Sequence, residues 1–311
     1  MSSSLPFIRT PDERFTNLPG YNFAPHYFQV EGLRMHYLDE GPRDGAVVLL
    51  LHGEPSWSYL YRKMIPLLVA AGHRVIAPDL IGFGRSDKLL SQHDYSANFH
   101  IRTVSALIGA LDIHNITLFC QDWGGLIGLR IAADHESRFR GIVAANTMLP
   151  GFPLRHPNLA HRFGRTNLLR TSLGFGAWYL FSQINPFWRA NQVLQLGTYN
   201  KLPADVQAAY DAPYPSRKYM AGAKVFPRLV MTEMTENKRI WKKLLRWNKP
   251  FLCAFGTKDP IMSPLVLLFQ LLIPGAADQP HQDIDEAGHF LQEDQGEKLA
   301  QVINQFIQDN P

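Results

Sequence analysis

Hydrophobic residues follow two different patterns through the first half of the chain. Residues 47–51 form a continuous apolar run, which is typical of a strand buried on both faces of a sheet. Other segments repeat their apolar positions with helical spacing, as at Ile101, Val104, Ile108 and Leu111. Further strands are predicted at 74–77, ahead of Asp122 and at 141–145, and a helical stretch at 58–71. This alternation from residue 47 to residue 146 predicts a mainly parallel sheet with helices on both faces.

The pattern changes before and after this region. Residues 27–30 and 35–39 alternate around Glu31-Gly32 and predict an antiparallel hairpin. From about residue 149 to residue 228 the strand signals stop, and the chain becomes aromatic, helical and rich in proline. Strand signals resume at 250–255 and 282–284, and a final amphipathic helix follows.

The interruption predicts how the chain divides. We expect residues 1–148 and 229–311 to form one core domain, and residues 149–228 to be a helical cap inserted into it. Such a cap would close over the carboxyl ends of the strands, where open α/β folds bind ligands. The alternative is a second helical domain that takes no part in catalysis.

The strand that ends at Cys120-Gln121 is followed by a turn with a distinctive order of residues. Small residues at Cys120 and Gly124 flank Asp122, as they flank the nucleophile on the strained turn between strand and helix in many hydrolases. A carboxylate of pKa about 4 is ionised at neutral pH and needs no base to attack a saturated carbon. The next residue, Trp123, carries an indole N–H that suits a departing halide. Asp122 is therefore the predicted nucleophile.

An alkyl ester on Asp122 would have to be hydrolysed, and this needs a general base. His289 follows the last predicted strand, and the order nucleophile, acid, histidine is that of α/β-hydrolases. Asp259, which also follows a strand, is the predicted carboxylate partner of this imidazole. Asn146 occupies the other position at which such an acid could stand, but it has no charge. Glu293 and Asp294 are expected to form the acidic first turn of the last helix.

Ester hydrolysis passes through an oxyanion that requires converging N–H donors. One is expected from the backbone of Trp123, directly after the nucleophile, and the other from the loop after the 47–51 strand. Because Pro55 has no N–H, the second donor should be the backbone of Glu54. A plain strand-to-helix turn is the alternative interpretation of this loop.

Composition and charge limit the other classes of function. Of the 311 residues 46% are hydrophobic and 19% charged, and the net charge of +4 with a pI near 9.0 is mild. Basic residues cluster at 155–170 and 238–249, but neither cluster shows an interleaved aromatic pattern or a known nucleic-acid motif, so we expect solvated faces and no nucleic-acid partner. The amino terminus does not resemble a signal peptide, and the longest apolar stretch, 265–273, is too short to span a membrane. Cys120 and Cys253 fit buried positions in a reducing cytoplasm.

These motifs together resemble those of the haloalkane dehalogenases of the α/β-hydrolase superfamily over nearly the whole chain. The matching segments are His52-Gly53-Glu54-Pro55-Ser56-Trp57-Ser58-Tyr59, Gly82-Phe83-Gly84-Arg85-Ser86-Asp87, Gln121-Asp122-Trp123-Gly124-Gly125, Asp259 and Gly288-His289-Phe290. The acid at Asp259, with Asn146 at the other position, resembles the subfamily with an Asp-His-Asp triad and two tryptophans for the halide. The resemblance implies a mostly parallel eight-stranded sheet with an inserted helical cap.

The resemblance also implies site residues in the cap and a reaction. Residues 174–178 resemble the cap segment of the family, which gives Trp178 the role of second halide donor and places Phe175 in the pocket; Trp188 is the competing tryptophan. A haloalkane would be converted to alcohol, halide and proton through an ester on Asp122. The partners would be a small halogenated alkane, water and halide, without a metal or organic cofactor. We expect a cytoplasmic monomer with a role in detoxification.

Two other functions are compatible with parts of this pattern. An epoxide hydrolase resembles the chain in fold, Asp nucleophile and histidine, but its cap presents two tyrosines to the epoxide oxygen and it usually carries His where this chain has Gln121. A non-catalytic ligand sensor would be expected to lack at least one catalytic group, whereas Asp122, His289 and Asp259 are all present. Dehalogenation is therefore the predicted activity.

Overall fold

A computed structural model describes residues 5–153, 164–185 and 188–311, and a sheet of eight strands lies at its centre. The strands of the described chain are β1 Phe7–Ile8, β2 His26–Val30, β3 Leu33–Glu40, β4 Val47–Leu51, β5 Arg74–Pro78, β6 Lys88–Leu89, β7 Ile116–Gln121, β8 Phe139–Ala145, β9 Phe251–Gly256 and β10 Gln282–Ile284. The helices are α1 Ile65–Ala70, α2 Ala97–Ala110, α3 Trp123–Asp134, α4 Gly164–Ile184, α5 Ala190–Gly197, α6 Ala204–Asp211, α7 Ala221–Thr232, α8 Met234–Leu244, α9 Val266–Leu272 and α10 Leu291–Asp309.

The order of strands brings several loops together at one edge of the sheet. Across the sheet the order is β10-β9-β8-β7-β4-β5-β3-β2, while β1 and β6 pair separately. Strands β4, β5, β7, β8, β9 and β10 are parallel, and the β2–β3 hairpin joins β5 in antiparallel fashion. The predicted mainly parallel sheet and hairpin are thus confirmed. Because parallel strands end at the same edge, the loops after β4, β7, β9 and β10 meet there.

The sheet is covered on both faces. Every residue of β4, β5, β7 and β9 is buried, as expected of parallel strands between two layers of helices. Helix α3 packs against β4 and β7, α1 against β5, and α10 against β9. The continuous apolar sequence of these strands therefore forms the core that fixes the positions of their ends.

The helical stretch predicted at 58–71 is wrong in its middle. A short 3-10 turn, Ser58–Tyr61, precedes α1, which begins at Ile65. Pro66 stands in the first turn of α1, where its missing N–H is tolerated. In a helix continuous from residue 58, Pro66 would lie in the interior, and the backbone N–H that should bond to the carbonyl of Arg62 would be absent.

The described part of the segment between β8 and β9 is mainly helical and contains α4 to α8. The boundary predicted at residue 229 lies inside α7, which continues without a break through it. Helix α8 packs on the core helix α3, and its Trp241 donates from Nε1 to the carbonyl of Leu149 at 2.9 Å. Residues 154–163 and 186–187 of the predicted cap, and the side chains of the basic segment 155–170, lie outside the described residues.

None of the helices in the described part of the chain is both long and apolar enough to cross a membrane.

Candidate active site

The turn between β7 and α3 presents Asp122 above the edge of the sheet. Asp122 adopts φ 52° and ψ −126°, a conformation that costs a non-glycine residue on the order of 1–3 kcal/mol. Its backbone N–H bonds to the carbonyl of Asn146 at 3.0 Å, and its own carbonyl accepts from the hydroxyl of Thr147 at 2.7 Å. A Cβ atom at Gly124 would lie 1.9 Å from the carbonyl oxygen of Leu51, so the tight turn requires glycine there. The small residue in the motif thus permits the close approach of α3 to β4.

The two oxygens of the Asp122 carboxylate have different surroundings. Oδ1 accepts a hydrogen bond from the backbone N–H of Glu54 at 2.8 Å, and Oδ2 lies 3.5 Å from Nε2 of His289. Trp123 occupies the first position of α3, where backbone N–H groups lack acceptors within the helix. The backbone N–H predicted as a donor at Glu54 therefore bonds to this carboxylate, and the other predicted donor, Trp123, is the next residue along the chain.

His289 forms its shortest polar contact with Asp259. Nδ1 of His289 lies 2.7 Å from Oδ2 of Asp259, and Oδ1 of the same carboxylate accepts from the backbone N–H groups of Ile261 at 2.9 Å and Met262 at 3.0 Å. Burial raises the pKa of Asp259, but His289 and these backbone donors outweigh it and hold the pKa below its usual value. Burial lowers the pKa of His289, while Asp259 and Asp122 together raise it to about 10.

All seven residues singled out from the sequence line one cavity of about 350 Å³ between the sheet edge and the inserted helices: Glu54, Asp122, Trp123, Phe175, Trp178, Asp259 and His289. The rest of its lining is mostly apolar, with Leu126, Val193 and Val230 among the side chains. Neither the indole N–H of Trp123 nor that of Trp178 has an acceptor among the described residues. The cavity thus combines the Asp122 carboxylate with two indole N–H groups that have no acceptor in the described part of the chain.

Trp188, the competing tryptophan, lies elsewhere. It is only 2% exposed, packs edge-on against Tyr214 and is absent from the cavity wall. Trp178 instead lies against Phe181 at a ring-centre distance of 5.7 Å, and Trp123 against Phe226 at 4.5 Å. The sequence pattern alone left the choice between the two cap tryptophans open.

The side chain of Glu54 is a second acid at the site. It lines the cavity beside Asp122, is 5% exposed, and its Oε1 atom has no hydrogen-bond partner in the described part of the chain. Burial, reinforced by the charge of Asp122, raises the pKa of Glu54 well above its usual value. The carboxyl group of Glu54 therefore holds its proton more tightly than an ordinary glutamate, next to the carboxyl group of Asp122.

Sequence reasoning assigned no role to two polar residues that hold the site together. Asn146 donates from Nδ2 to the carbonyl of Gly288 at 2.8 Å and accepts at Oδ1 from the backbone N–H of Gly256 at 2.7 Å, which joins the loops after β9 and β10. Gln121 reaches His289 with its side-chain amide. The only feature of the sequence that indicates these roles is the position of the two residues at the ends of β8 and β7.

Glu293 and Asp294 lie in the first turn of α10, as predicted, and each also makes longer-range contacts. Glu293 is buried and receives Nη2 of Arg62 at 2.9 Å and the hydroxyl of Tyr210. Asp294 accepts from the backbone N–H of Gly288 at 2.9 Å and from that of Tyr199 at 2.8 Å. The turn after His289 is thereby tied to the inserted helices.

Comparison with known proteins places the chain in a class and then in a family. The alpha/beta hydrolase fold family matches residues 46–295. The chain is 50% identical to a haloalkane dehalogenase of Psychrobacter cryohalolentis, with 98% of this chain and 99% of that protein covered. It is 49% identical to haloalkane dehalogenase 1 of Mycobacterium tuberculosis, with coverages of 94% and 96%.

A solved structure agrees with these sequence relationships. The tetrameric haloalkane dehalogenase DpaA of Paraglaciecola agarilytica NO2 superposes with a TM-score of 0.84 at 35% identity, covering 96% of this chain and 97% of that one. The fold and the turn between β7 and α3 that carries Asp122 thus define an α/β-hydrolase. The relatives match along nearly their full length, and the chain belongs to the haloalkane dehalogenase family.

Proposed function

We propose that this protein hydrolyses haloalkanes to alcohol, halide and proton, with Asp122 as the nucleophile. One observation carries the proposal: the Asp122 carboxylate lines an apolar cavity with Oδ1 held by the Glu54 N–H and Oδ2 beside the imidazole of His289. An ionised carboxylate in such surroundings has lost much of its hydration, so it is a stronger nucleophile toward a saturated carbon than it would be in water.

The first half of the reaction is a displacement at carbon. Oδ2 of Asp122 attacks the carbon that bears the halogen, the carbon–halogen bond breaks with its electron pair, and an alkyl ester remains on the enzyme. Trp123 and Trp178 both line this cavity, and their indole N–H groups donate to the departing halide. Because charge moves from the carboxylate to the halide in this step, donors placed beforehand at the halide position stabilise the transition state.

The second half is hydrolysis of that ester. His289 takes a proton from water at Nε2 while the oxygen of that water attacks the Asp122 carbonyl carbon. The bond between this carbon and Oδ2 then breaks, Oδ2 leaves as the alcohol with the proton returned by His289, and the remaining proton of the water passes to the imidazole as the carboxylate is restored. Asp259 stabilises the imidazolium through Nδ1, which lies 2.7 Å from its Oδ2. The backbone N–H of Glu54, together with that of Trp123, stabilises the negative charge that develops on Oδ1.

Formation of the ester on Asp122 also makes His289 available as a general base. In the free enzyme Asp122 contributes to raising the pKa of His289 to about 10, which favours the imidazolium. The ester has no charge, so its formation removes this contribution and lowers the pKa of the imidazole. The proton then leaves with the products of the first half, and His289 becomes neutral when a base is required.

An epoxide hydrolase of the same fold would be expected to direct two cap tyrosines at its substrate. None of the described residues that line the cavity is a tyrosine. Tyr210 and Tyr214 are buried and donate their hydroxyls to Glu293 and to the carbonyl of Pro55, respectively. This arrangement favours halide as the leaving group over an alkoxide that must be protonated.

The same proposal extends to the domains and the assembly. Residues 149–228 act as a cap that supplies Phe175 and Trp178 to the cavity, and residues 1–148 and 229–311 supply the remaining site residues.

The protein works as a monomer in the cytoplasm, where the buried, unpaired Cys120 and Cys253 stay reduced. Sedimentation of the purified protein tests the monomer, since DpaA is a tetramer.

Product analysis tests the function. Purified enzyme is incubated with 1-bromobutane or 1,2-dibromoethane and, separately, with a terminal epoxide, and halide and diol are measured. Halide release that depends on Asp122, with no diol formation, is the expected result. Diol formation without halide release would establish the epoxide hydrolase, and binding without turnover would favour a ligand sensor.

A further inference from the structure

Gln121, the last residue of β7, lies against the imidazole of His289. Its side chain is fully buried, and its amide nitrogen lies 3.1 Å from Nε2 of His289 and 3.1 Å from the backbone carbonyl oxygen of the same residue. Oδ2 of Asp122 lies farther from Nε2, at 3.5 Å. The nearest polar neighbour of the basic nitrogen is therefore the amide, not the nucleophile.

The chemistry of this contact is fixed by the carbonyl group. A backbone carbonyl only accepts hydrogen bonds, so the Gln121 atom that faces it must be the NH₂ group. The same NH₂ group then presents an N–H to Nε2 of His289. Such an approach is favourable when Nε2 carries a lone pair, and it is repulsive when Nε2 carries a proton.

The charged groups around His289 act in the opposite direction. Asp259, after β9, and Asp122, after β7, both favour the imidazolium. The Glu54 carboxyl, after β4, also lines this cavity, and Asp294 of α10 bonds to the backbone of Gly288. Helix α5 contributes only the uncharged Val193, Leu196 and Gly197 to the cavity. Among the described residues, Gln121 is the neighbour whose polar contact favours the neutral ring.

We propose that Gln121 is a positioning residue that keeps His289 neutral after Asp122 has been alkylated, with Nδ1–H bonded to Asp259 and the amide of Gln121 donating to the lone pair of Nε2 until water takes its place. The inference rests on the proposed function, because it concerns the base of the second half-reaction. Gln121 does not touch the substrate and acts through the imidazole alone. The amide sets the lower pH limit at which the ester is hydrolysed.

Three variants separate this role from packing. Gln121→Met keeps the length of the side chain and removes the donor, and Gln121→Glu replaces the donor with an acceptor that favours the imidazolium. Thr117→Val is the matched control: Thr117 lies on the same strand, is equally buried, and its hydroxyl has no partner among the described residues.

The measurement is the rate of ester hydrolysis in a single turnover with 1-bromobutane from pH 5 to pH 10, with the alkyl-enzyme followed by mass spectrometry after rapid quenching. The acidic limb of the pH–rate profile for ester hydrolysis should move to higher pH by about one unit in Gln121→Met and further in Gln121→Glu. It should not move in Thr117→Val. An unmoved limb in both Gln121 variants, or an equal movement in Thr117→Val, would overturn the inference. Failure of the proposed function would be seen separately, as absence of alkyl-enzyme in the wild-type protein.

A second measurement covers the case in which the Gln121 variants do not fold. In Asp122→Asn the amide has no charge and mimics the ester, and ¹⁵N NMR of histidine reports whether Nε2 is protonated. Nε2 should be unprotonated at pH 7 with Gln121 in place. A doubly protonated His289 at pH 7 in this variant would overturn the inference.

Discussion

The backbone N–H of Glu54 donates to Oδ1 of Asp122 at 2.8 Å, and this bond assigns separate tasks to the two oxygens of one carboxylate. In the proposed reaction, Oδ1 becomes the ester carbonyl oxygen and then the oxyanion. Oδ2, which lies 3.5 Å from Nε2 of His289, is the oxygen proposed to attack the substrate. The site can therefore pass from displacement to hydrolysis without moving the nucleophile or its donor, which is how preorganised dipoles lower a barrier.

Replacement of the nucleophile should abolish turnover. Asp122→Ala removes the attacking oxygen, and bromide release from 1-bromobutane should fall below about a thousandth of the wild-type rate. Asp283→Ala, which removes an exposed acid on β10, is the matched control and should release bromide at the wild-type rate. Bromide release by Asp122→Ala well above that level would argue for a different nucleophile.

Removal of the base should trap the intermediate. His289→Gln leaves Asp122 able to attack but slows ester hydrolysis by about a hundredfold or more, so intact-protein mass spectrometry should detect a mass increase equal to the alkyl group. His93→Gln, on an exposed turn, should show no such adduct. An unmodified His289→Gln protein after incubation with substrate would speak against a two-step reaction.

Halide affinity should depend on one cap tryptophan and not on the other. Trp178→Phe removes the indole N–H of a residue that lines the cavity, and half-maximal quenching of tryptophan fluorescence by bromide should require at least about tenfold more bromide. Trp188→Phe alters a tryptophan outside the cavity and should leave the affinity unchanged. The reverse result would assign the second donor to Trp188.

The raised pKa of His289 predicts how stability changes with pH. In the folded free enzyme this pKa is raised from 6.5 to about 10, so its contribution to the free energy of unfolding is complete below pH 6.5 and is lost as the pH rises toward 10. Urea unfolding of wild type and His289→Gln should therefore differ most at pH 6.5 and less at pH 9.5. A difference that stays constant over this range would mean that His289 is not a stabilising cation in the resting enzyme.

Local sequence was sufficient for the part of the site that depends on local geometry. The turn at Asp122 is specified by the apolar strand before it, by the small residue Gly124 and by the helix that follows, all within a few residues. The loops that carry Glu54, Asp259 and His289 were predictable because parallel strands end at one edge of a sheet. Pro66, in contrast, prevents the single helix that the apolar pattern predicts over 58–71.

The residue roles that the sequence did not predict depend on contacts between segments far apart in the chain. Asn146 lies 110 residues from Gly256 and 142 from Gly288, and nothing near it in the sequence indicates that it joins their loops. Gln121 lies 168 residues from the imidazole that it contacts. The buried contact between Glu293 and Arg62 likewise joins residues that are 231 positions apart in the sequence. Such roles emerge only when the packed structure decides which strand ends meet.

A single turnover in ¹⁸O-labelled water tests the central claim most directly. With enzyme in excess over 1-bromobutane, the alcohol oxygen should come from Oδ2 of Asp122, so the butanol should contain ¹⁶O and the peptide that carries Asp122 should gain one ¹⁸O. Butanol that contains ¹⁸O in this first turnover, with an unlabelled Asp122 peptide, would mean that water displaces the halide directly and would contradict the covalent mechanism.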